Sequence, residues 1–188
     1  MAQKRRMAAD RPQKPRPPLD AGRLDELALR YVGRFATTRA KLHGYLQRKV
    51  RQRGWGGDGG PPLEAIVERL ADLGYIDDAA FAMAKTRALS SRGYGKQRVQ
   101  QSLHAAGVGD DDSVDAIALA DSERVEAALR FARRRRLGPF AADAKAREER
   151  ERAIAAMIRA GHSFALSRAI VAMEPGANVD LEALVEKR

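Results

Sequence analysis

Two adjacent carboxylates, Asp77 and Asp78, are the first residues of this sequence that suggest chemistry, because paired acids can perform general acid–base catalysis. They stand in front of the apolar, alanine-rich stretch AAFA. The sequence places no histidine, serine or basic nucleophile close to them. An aspartate before a helix accepts the unpaired N–H groups of its first turn and complements the helix dipole. We therefore interpret the pair as a cap on a helix that buries Phe81, and not as a catalytic site.

Other patterns of catalytic or ligand-binding sites are incomplete. The three histidines, His43, His104 and His162, lack the spacing of metal ligands. The stretch GWGGDGG (54–60) resembles a phosphate-binding loop but lacks the Gly-Lys-Ser/Thr ending, and no strand pattern precedes it. We interpret it as a flexible insertion with an exposed Trp55, which alternatively stacks on a base, docks a partner or folds back on the core. We expect no metal, no cofactor and no enzymatic activity.

The basic residues carry more information. The chain has 188 residues and a formal net charge of +10, which favours a polyanionic partner. Four consecutive arginines occupy positions 133–136. Successive helical residues turn by about 100°, so these side chains surround the helix and cannot all be buried. A solvated helix end and a phosphate contact are both consistent with this run.

Two further segments combine basic and apolar residues. In the predicted helix over 39–53, Leu42, Leu46 and Val50 share one face, with Tyr45 at its margin. The basic residues lie largely on the other face: Lys41, Arg48 and Arg51. This pattern indicates one stripe for the core and one for a polyanion, or a merely solvated face. The turn Gly93-Tyr94-Gly95, flanked by Arg92 and Lys96, suits either an anionic partner or a simple interhelical connection.

An internal repeat positions all of these residues. Gly54, Gly107 and Gly161 lie 53 and 54 positions apart, and each follows a helical pattern that it ends. Residues four and eight positions before each glycine share one helical face, and all are apolar: Leu46, Val50, Val99, Leu103, Ala153 and Met157. A similar helix precedes each of these segments and another follows. The unit is three helices in about 50 residues, used three times.

The predicted fold is therefore all-α, with roughly nine helices in three tandem three-helix repeats. Because each unit buries little alone, the repeats are expected to stack into an elongated, curved array. We predict the following divisions: a disordered basic arm (1–23), repeat 1 (24–76, with a glycine-rich insertion at 54–62), repeat 2 (77–121), repeat 3 (122–174) and a C-terminal tail (175–188).

Composition sets the expected compartment. The chain contains no cysteine, which excludes disulfides and cysteine-based zinc sites. Its apolar runs are shorter than the roughly 18 residues of a membrane span, and its N-terminus lacks the apolar core of a secretory signal. We expect a cytoplasmic, monomeric protein without a membrane partner.

The stretch from 73 to 108 resembles the RecX family, the regulators of the RecA recombinase. The matching residues are Leu73-Gly74-Tyr75-Ile76-Asp77-Asp78, Phe81-Ala82, Arg87, Gly93-Tyr94-Gly95, Arg98-Val99, Leu103 and Gly107-Val108. Repeat 1 adds Thr38-Arg39 at the start of its second helix, with Leu42 and Leu46 on the buried face. The resemblance covers roughly residues 25–174 and fades in repeat 3.

The resemblance implies a curved array of three-helix repeats that binds RecA and the RecA–DNA filament, has no catalytic activity, and in some members binds DNA directly. It implies inhibition of RecA's ATP hydrolysis, strand exchange and coprotease activity. The predicted contact residues are Arg39, Lys41, Arg48, Arg51, Lys85, Arg87, Arg92, Tyr94, Lys96, Arg98, Arg133, Arg134, Arg135 and Arg136. The predicted structural joints are Gly54, Asp77, Asp78, Phe81, Gly107 and Gly161. The alternative is a stand-alone basic DNA-binding module that does not act through RecA.

Overall fold

The computed structural model describes residues 17–187, and within this range the regular structure is entirely helical. The α-helices are α1 (Ala21–Val32), α2 (Arg39–Arg53), α3 (Leu63–Asp72), α4 (Asp78–Ser91), α5 (Lys96–His104), α6 (Asp110–Ser122), α7 (Arg124–Arg135), α8 (Arg147–Arg159), α9 (Phe164–Val171) and α10 (Leu181–Val185). A short 3-10 helix, Gly138–Phe140, follows α7. The prediction of an all-α protein is confirmed.

Each group of three helices encloses its own core. Leu42, Leu46 and Leu70 are fully or almost fully buried between α1, α2 and α3. Val99 and Leu103 of α5 are central to a second core with α4 and α6. Met157 of α8 is central to a third, with α7 and α9. The cores are separate, as expected for repeats that fold locally and then stack.

The three glycines that mark the repeat all adopt a left-handed backbone. Gly54, Gly107 and Gly161 have φ values of +81°, +71° and +96°, a region that side chains disfavour. Gly54 caps α2 directly, whereas Gly107 and Gly161 come three and two residues after the last helical residues of α5 and α8. The chain therefore reverses at the same point in each repeat.

The first two repeats meet where α2 begins. The buried Thr38 hydroxyl donates to the carbonyl of Ala106, with 2.6 Å between the oxygens. A Cβ added to Gly107 would lie 2.2 Å from the Cβ of Ala40. The start of one repeat's second helix thus packs on the end of the next repeat's second helix.

The second and third repeats meet in the same way. The Gly95 N–H donates to the carbonyl of Ala160 at 2.9 Å, and the Gln97 N–H donates to that of Gly161 at 3.2 Å. A Cβ on Gly95 would lie 2.3 Å from the Gly161 oxygen, so the two backbones touch. Ala106 and Ala160 occupy equivalent positions, one residue before the repeat glycine, and both accept a bond from the preceding repeat.

Leu19 and Asp20, which the sequence analysis assigned to the basic arm, are packed on repeat 1. Residues 1–16 lie outside the described part of the chain, but Leu19 is fully buried and Asp20 caps α1 by accepting from the Arg23 N–H at 2.8 Å. The reason is a backbone pairing: the Leu19 N–H donates to the Gly54 carbonyl, and the Gly56 N–H to the Leu19 carbonyl, both at 2.9 Å. Residues 17–23 therefore belong to repeat 1.

Trp55 folds back on the core, one of the alternatives that the sequence left open. Its half-buried ring packs against the core of repeat 1, and its indole N–H donates to the Gly59 carbonyl at 3.0 Å. The glycine-rich insertion thereby holds the Leu19 segment in place. At the other end of the chain, Leu184 of α10 is buried in the core of repeat 3. The predicted tail thus contains a packed helix.

Candidate interaction surface

Asp77 and Asp78 have different roles at the joint between repeats 1 and 2. Asp77 is the N-cap of α4 and accepts from the Ala80 N–H at 2.7 Å. Asp78 is buried, accepts from the Arg39 N–H at 3.0 Å and lies 3.8 Å from the Arg39 guanidinium. Burial raises the pKa of Asp78, and the two interactions with Arg39 oppose that rise. Arg39, a predicted contact residue, also lies 3.6 Å from Glu68 and is thus held within the fold.

Lys41 and Lys85 form a first basic cluster at this joint. The Lys41 ammonium lies 4.3 Å from the centre of the Phe81 ring, a cation–π contact. Burial and the nearby charge of Lys85 lower the pKa of Lys41. The cost of holding two ammonium groups together falls when an anion sits between them. These two predicted contact residues, 44 positions apart in sequence, are therefore brought together at one place.

A second basic cluster surrounds the end of α4. Arg134 donates to the carbonyl of Arg92, and Arg130 donates to that of Ser90 at 3.1 Å. Both carbonyls belong to the last turn of α4, where cations are favourable. The guanidinium groups of Arg134 and Arg135 also lie 5.5 and 5.8 Å from the centre of the Phe131 ring. The second basic cluster consists of Arg92, Arg130 and Arg134, all exposed. The other arginines of the run, Arg133, Arg135 and Arg136, are also exposed at the end of α7, and the Arg133 guanidinium lies 4.8 Å from the centre of the Phe140 ring.

Helix α4 connects the two clusters. Lys85 and Arg92 are seven residues apart, and Arg92 keeps a near-helical backbone as the C-cap, so both lie on one face. Their separation along the axis is about 10 Å. Lys85 and Arg92 thus place positive charge on one face of α4, between the joint of repeats 1 and 2 and the joint of repeats 2 and 3.

The remaining predicted contact residues differ in how they are held. Lys96 forms an ion pair with Asp121 at 2.9 Å, and Tyr94 packs in part against the core of repeat 3. Four residues are exposed and form no ion pair with any other described residue: Arg48, Arg51, Arg87 and Arg98. Since these four keep their charge unpaired, they are available to an anionic partner, as are the exposed arginines at the end of α7.

Two residues important to this region were not among the predicted contact residues or joints. Arg130 bonds to the end of α4. The sequence could have indicated this role, because Arg130 and Arg134 are four residues apart and therefore share a helix face. His162 is buried at the joint between repeats 2 and 3, with Nε2 3.0 Å from the Gly93 carbonyl. Burial lowers the pKa of His162 to about 4. The imidazole is therefore neutral near pH 7, and Nε2 carries its proton.

Residues 17–187 include neither a cluster of metal ligands nor a membrane-spanning helix. These residues contain no group of three or more His, Asp or Glu side chains that could hold a metal ion. Among the helices of the described range, none is both long enough and apolar enough to cross a membrane.

Tandem three-helix repeats with basic clusters at their joints define a basic helical-repeat protein. The family model for the second three-helix domain of RecX matches residues 77–117. The regulatory protein RecX of Myxococcus xanthus is 35% identical over 160 residues, which are 81% of this chain and 86% of that protein. RecX of Deinococcus radiodurans is 34% identical over 97 residues, 51% of this chain and 42% of that protein.

Solved structures agree with this relationship. The crystal structure of RecX from Lactobacillus salivarius matches with a TM-score of 0.61 at 20% identity, over 80% of this chain and 94% of that one. Another crystal structure of a regulatory protein RecX matches with a TM-score of 0.57 at 21% identity, over 77% of this chain and 68% of that one. At these identities the likeness shows the fold, and it confirms the predicted fold class. With the extent of the Myxococcus match, this chain belongs to the RecX family of regulatory proteins.

Proposed function

We propose that this chain binds RecA and the RecA–DNA filament and inhibits RecA's ATPase, strand-exchange and coprotease activities during DNA repair and recombination. The observation that carries the proposal is membership of the RecX family, through a relative matched over 86% of its length. The two basic clusters and the cations along α4 give the chain a surface complementary to a polyanionic filament.

In this proposal the array lies along the filament and contacts it at several points. Arg48, Arg51, Arg87 and Arg98 reach acidic groups of RecA or DNA phosphates, and the two basic clusters add contacts at the joints. Inhibition requires tighter binding to one filament state than to another, since equal affinity for both shifts neither. The chain has no chemistry to perform in this scheme and acts by binding alone.

The direct test is the single-strand-dependent ATPase of RecA, with this protein titrated from substoichiometric to equimolar ratios. We expect inhibition well below equimolar, which would favour control of filament growth. The contrary result is an unchanged ATPase at equimolar together with tight binding to bare DNA that weakens about 10³-fold between 50 and 200 mM salt. That result would favour the stand-alone DNA-binding module.

A charge-matched pair of variants tests the surface. We expect Arg87→Ala with Arg98→Ala to raise the half-inhibiting concentration several-fold without loss of helix content, because both side chains are exposed and unpaired among the described residues. If both contact phosphates, the salt dependence of filament binding should fall by about two units of slope.

The control removes the same charge elsewhere. Arg23 and Arg30 of α1 pair with acids of their own segment, Asp20 and Glu26, at 3.7 Å each. Their joint replacement by alanine should leave inhibition unchanged. Equal effects of the two double variants would mean that net charge, and not position, governs binding.

A further inference from the structure

Repeat 3 carries an apolar groove on its outer surface, between α8 and α9. The groove has a volume of about 680 Å³, and its apolar lining includes Ile154, Ile158, Phe164 and Val171. Phe164 is 59% exposed and Ile158 is 38% exposed, and neither belongs to the core cluster of this repeat. Because both side chains line the same groove, they form one continuous apolar surface with its floor, and contiguous apolar surface of this kind marks interaction sites when it is large.

Comparison of the repeats shows that the fold does not require these two side chains. Ile158 lies three residues before the repeat glycine, where repeats 1 and 2 have Arg51 and His104. Phe164 lies three residues after that glycine and begins α9, where repeat 2 has Asp110 at the start of α6. Arg51, His104 and Asp110 are all exposed. A stable three-helix unit is therefore built with polar residues at these positions, so repeat 3 carries its apolar pair for another reason.

Arginines surround the groove and restrict the kind of partner it can bind. Arg147, Arg150 and Arg168 are part of the lining, whereas Glu151 is its one acid among the described residues. Arg147 pairs with Glu151 at 3.0 Å. Arg150 and Arg168 form no ion pair with another described residue. An apolar floor beside two unpaired guanidinium groups is complementary to a segment that carries both apolar and acidic side chains.

We propose that this groove binds an acidic amphipathic helix of a protein partner. The apolar face of that helix packs on Ile158 and Phe164, and carboxylates along its edge bond to Arg150 and Arg168. This is the helix-in-groove mode of recognition, in which apolar residues on one helix face insert into a preformed groove. Residues 1–16 of this chain are excluded as the occupant by charge, because they contain six basic residues and one acid.

The experiment measures the fluorescence anisotropy of two labelled synthetic helical peptides in the presence of the full chain. One peptide has leucines on one face and glutamates on the other, and the second has lysines in place of the glutamates. We expect the acidic peptide to bind at micromolar concentration and the basic one not to bind. Binding of neither peptide, or equal binding of both, overturns the proposal.

Variants locate the binding. Ile158→His with Phe164→Asp introduces the residues of repeat 2 at the equivalent positions, which preserves the fold, and should weaken the acidic peptide at least tenfold. Arg150→Gln with Arg168→Gln leaves the apolar floor intact and should weaken binding and reduce its salt dependence. Val114→Asp is the control, since Val114 is an exposed apolar residue of α6 outside the groove. It should have no effect.

Two other occupants are tested by the same variants, with folding checked by circular dichroism. If sedimentation equilibrium shows a dimer that Ile158→His with Phe164→Asp dissociates, the occupant is a second copy and the proposal is wrong. If phosphatidylglycerol vesicles bind through the same residues and the acidic peptide does not, the surface binds lipid and the proposal is equally wrong. Unchanged binding of the acidic peptide to the groove variants also overturns it.

Discussion

At the residue scale, Asp78 connects two repeats through a single side chain. It accepts the Arg39 N–H at the start of α2, although it belongs to the first turn of α4. A buried backbone donor that loses its acceptor costs about 1–3 kcal/mol. The joint therefore depends on a bond that links residues 39 positions apart.

We expect Asp78→Ala to lower the free energy of unfolding by about 2 kcal/mol, because the Arg39 N–H then loses its partner. Asp78→Asn should cost less, since the amide oxygen still accepts this bond and only the partly exposed ion pair is lost. Urea denaturation of the two variants measures both values. An equally large loss for Asp78→Asn would assign the stability to the charge instead of the hydrogen bond.

His162 makes the joint between repeats 2 and 3 sensitive to acid. Its pKa of about 4 in the folded protein lies below the value near 6.5 that an exposed histidine has. Between these values the unfolded chain binds the additional proton, so stability falls as the pH falls from 6.5 towards 4. From pH 7 to pH 5 the contribution of this one group is a loss of about 2 kcal/mol.

The test compares His162→Gln with the unaltered protein by denaturation at pH 7 and pH 5. The glutamine does not titrate, so its variant should lose about 2 kcal/mol less over this interval. Differences from other titrating groups cancel in the comparison. Parallel pH profiles for the two proteins would show that His162 is protonated in the folded state without cost.

At the element scale, the joints depend on close backbone approach. Gly107 and Gly74 have almost the same left-handed backbone, with φ of +71° and +77°. A Cβ on Gly107 would lie 2.2 Å from Ala40, whereas a Cβ on Gly74 would have no neighbour within 4 Å. Alanine substitutions at these two glycines therefore distinguish the cost of backbone strain from the cost of overpacking at the joint.

Gly74→Ala should therefore cost about 1 kcal/mol, from the left-handed backbone alone. Gly107→Ala should cost that amount plus about 1–3 kcal/mol for overpacking between α2 and the end of α5. Thermal denaturation followed by circular dichroism gives both values. If the two variants lose the same stability, the joint yields to the extra methyl group and is looser than the structure indicates.

The local patterns of the sequence predicted the elements but not their partners. The spacing of Gly54, Gly107 and Gly161 was sufficient to identify three helical units, because each helix end is encoded within a few residues. The bond from Arg134 to Arg92 and the pairing of Leu19 with Gly54 join distant positions, and periodicity within one helix carries no information about them. The same limit applies to the contact residues: Lys41 and Lys85 were predicted separately, and only the fold places them together.

At the scale of the whole molecule, the N-terminal boundary has a measurable consequence. A chain that begins at residue 17 keeps Leu19 and Asp20 and is the reference for a shorter chain. A chain that begins at residue 21 loses the fully buried Leu19 and should be less stable by about 2–5 kcal/mol. Leu19→Ala in the full chain keeps the Asp20 cap and the backbone bonds of residue 19, so it isolates the side chain and should lose less stability than the truncation. Equal stability of the two truncated chains would contradict the packing of Leu19.

The bonds at the first and last repeats bear on whether copies of the chain can associate end to end. Between neighbouring repeats, a donor at the start of the second helix of one repeat bonds to a carbonyl at the end of the second helix of the following repeat. At the first repeat the carbonyl that corresponds to that of Gly161, the Gly54 carbonyl, bonds to the Leu19 N–H. At the third repeat the equivalent donor, the Ala146 N–H, turns to the Glu149 carboxylate at 3.3 Å. Head-to-tail contacts that do not close on themselves produce open fibres. Copies of this chain would have to break a bond at each end of the array before they could polymerise through this joint, so these two bonds oppose head-to-tail association.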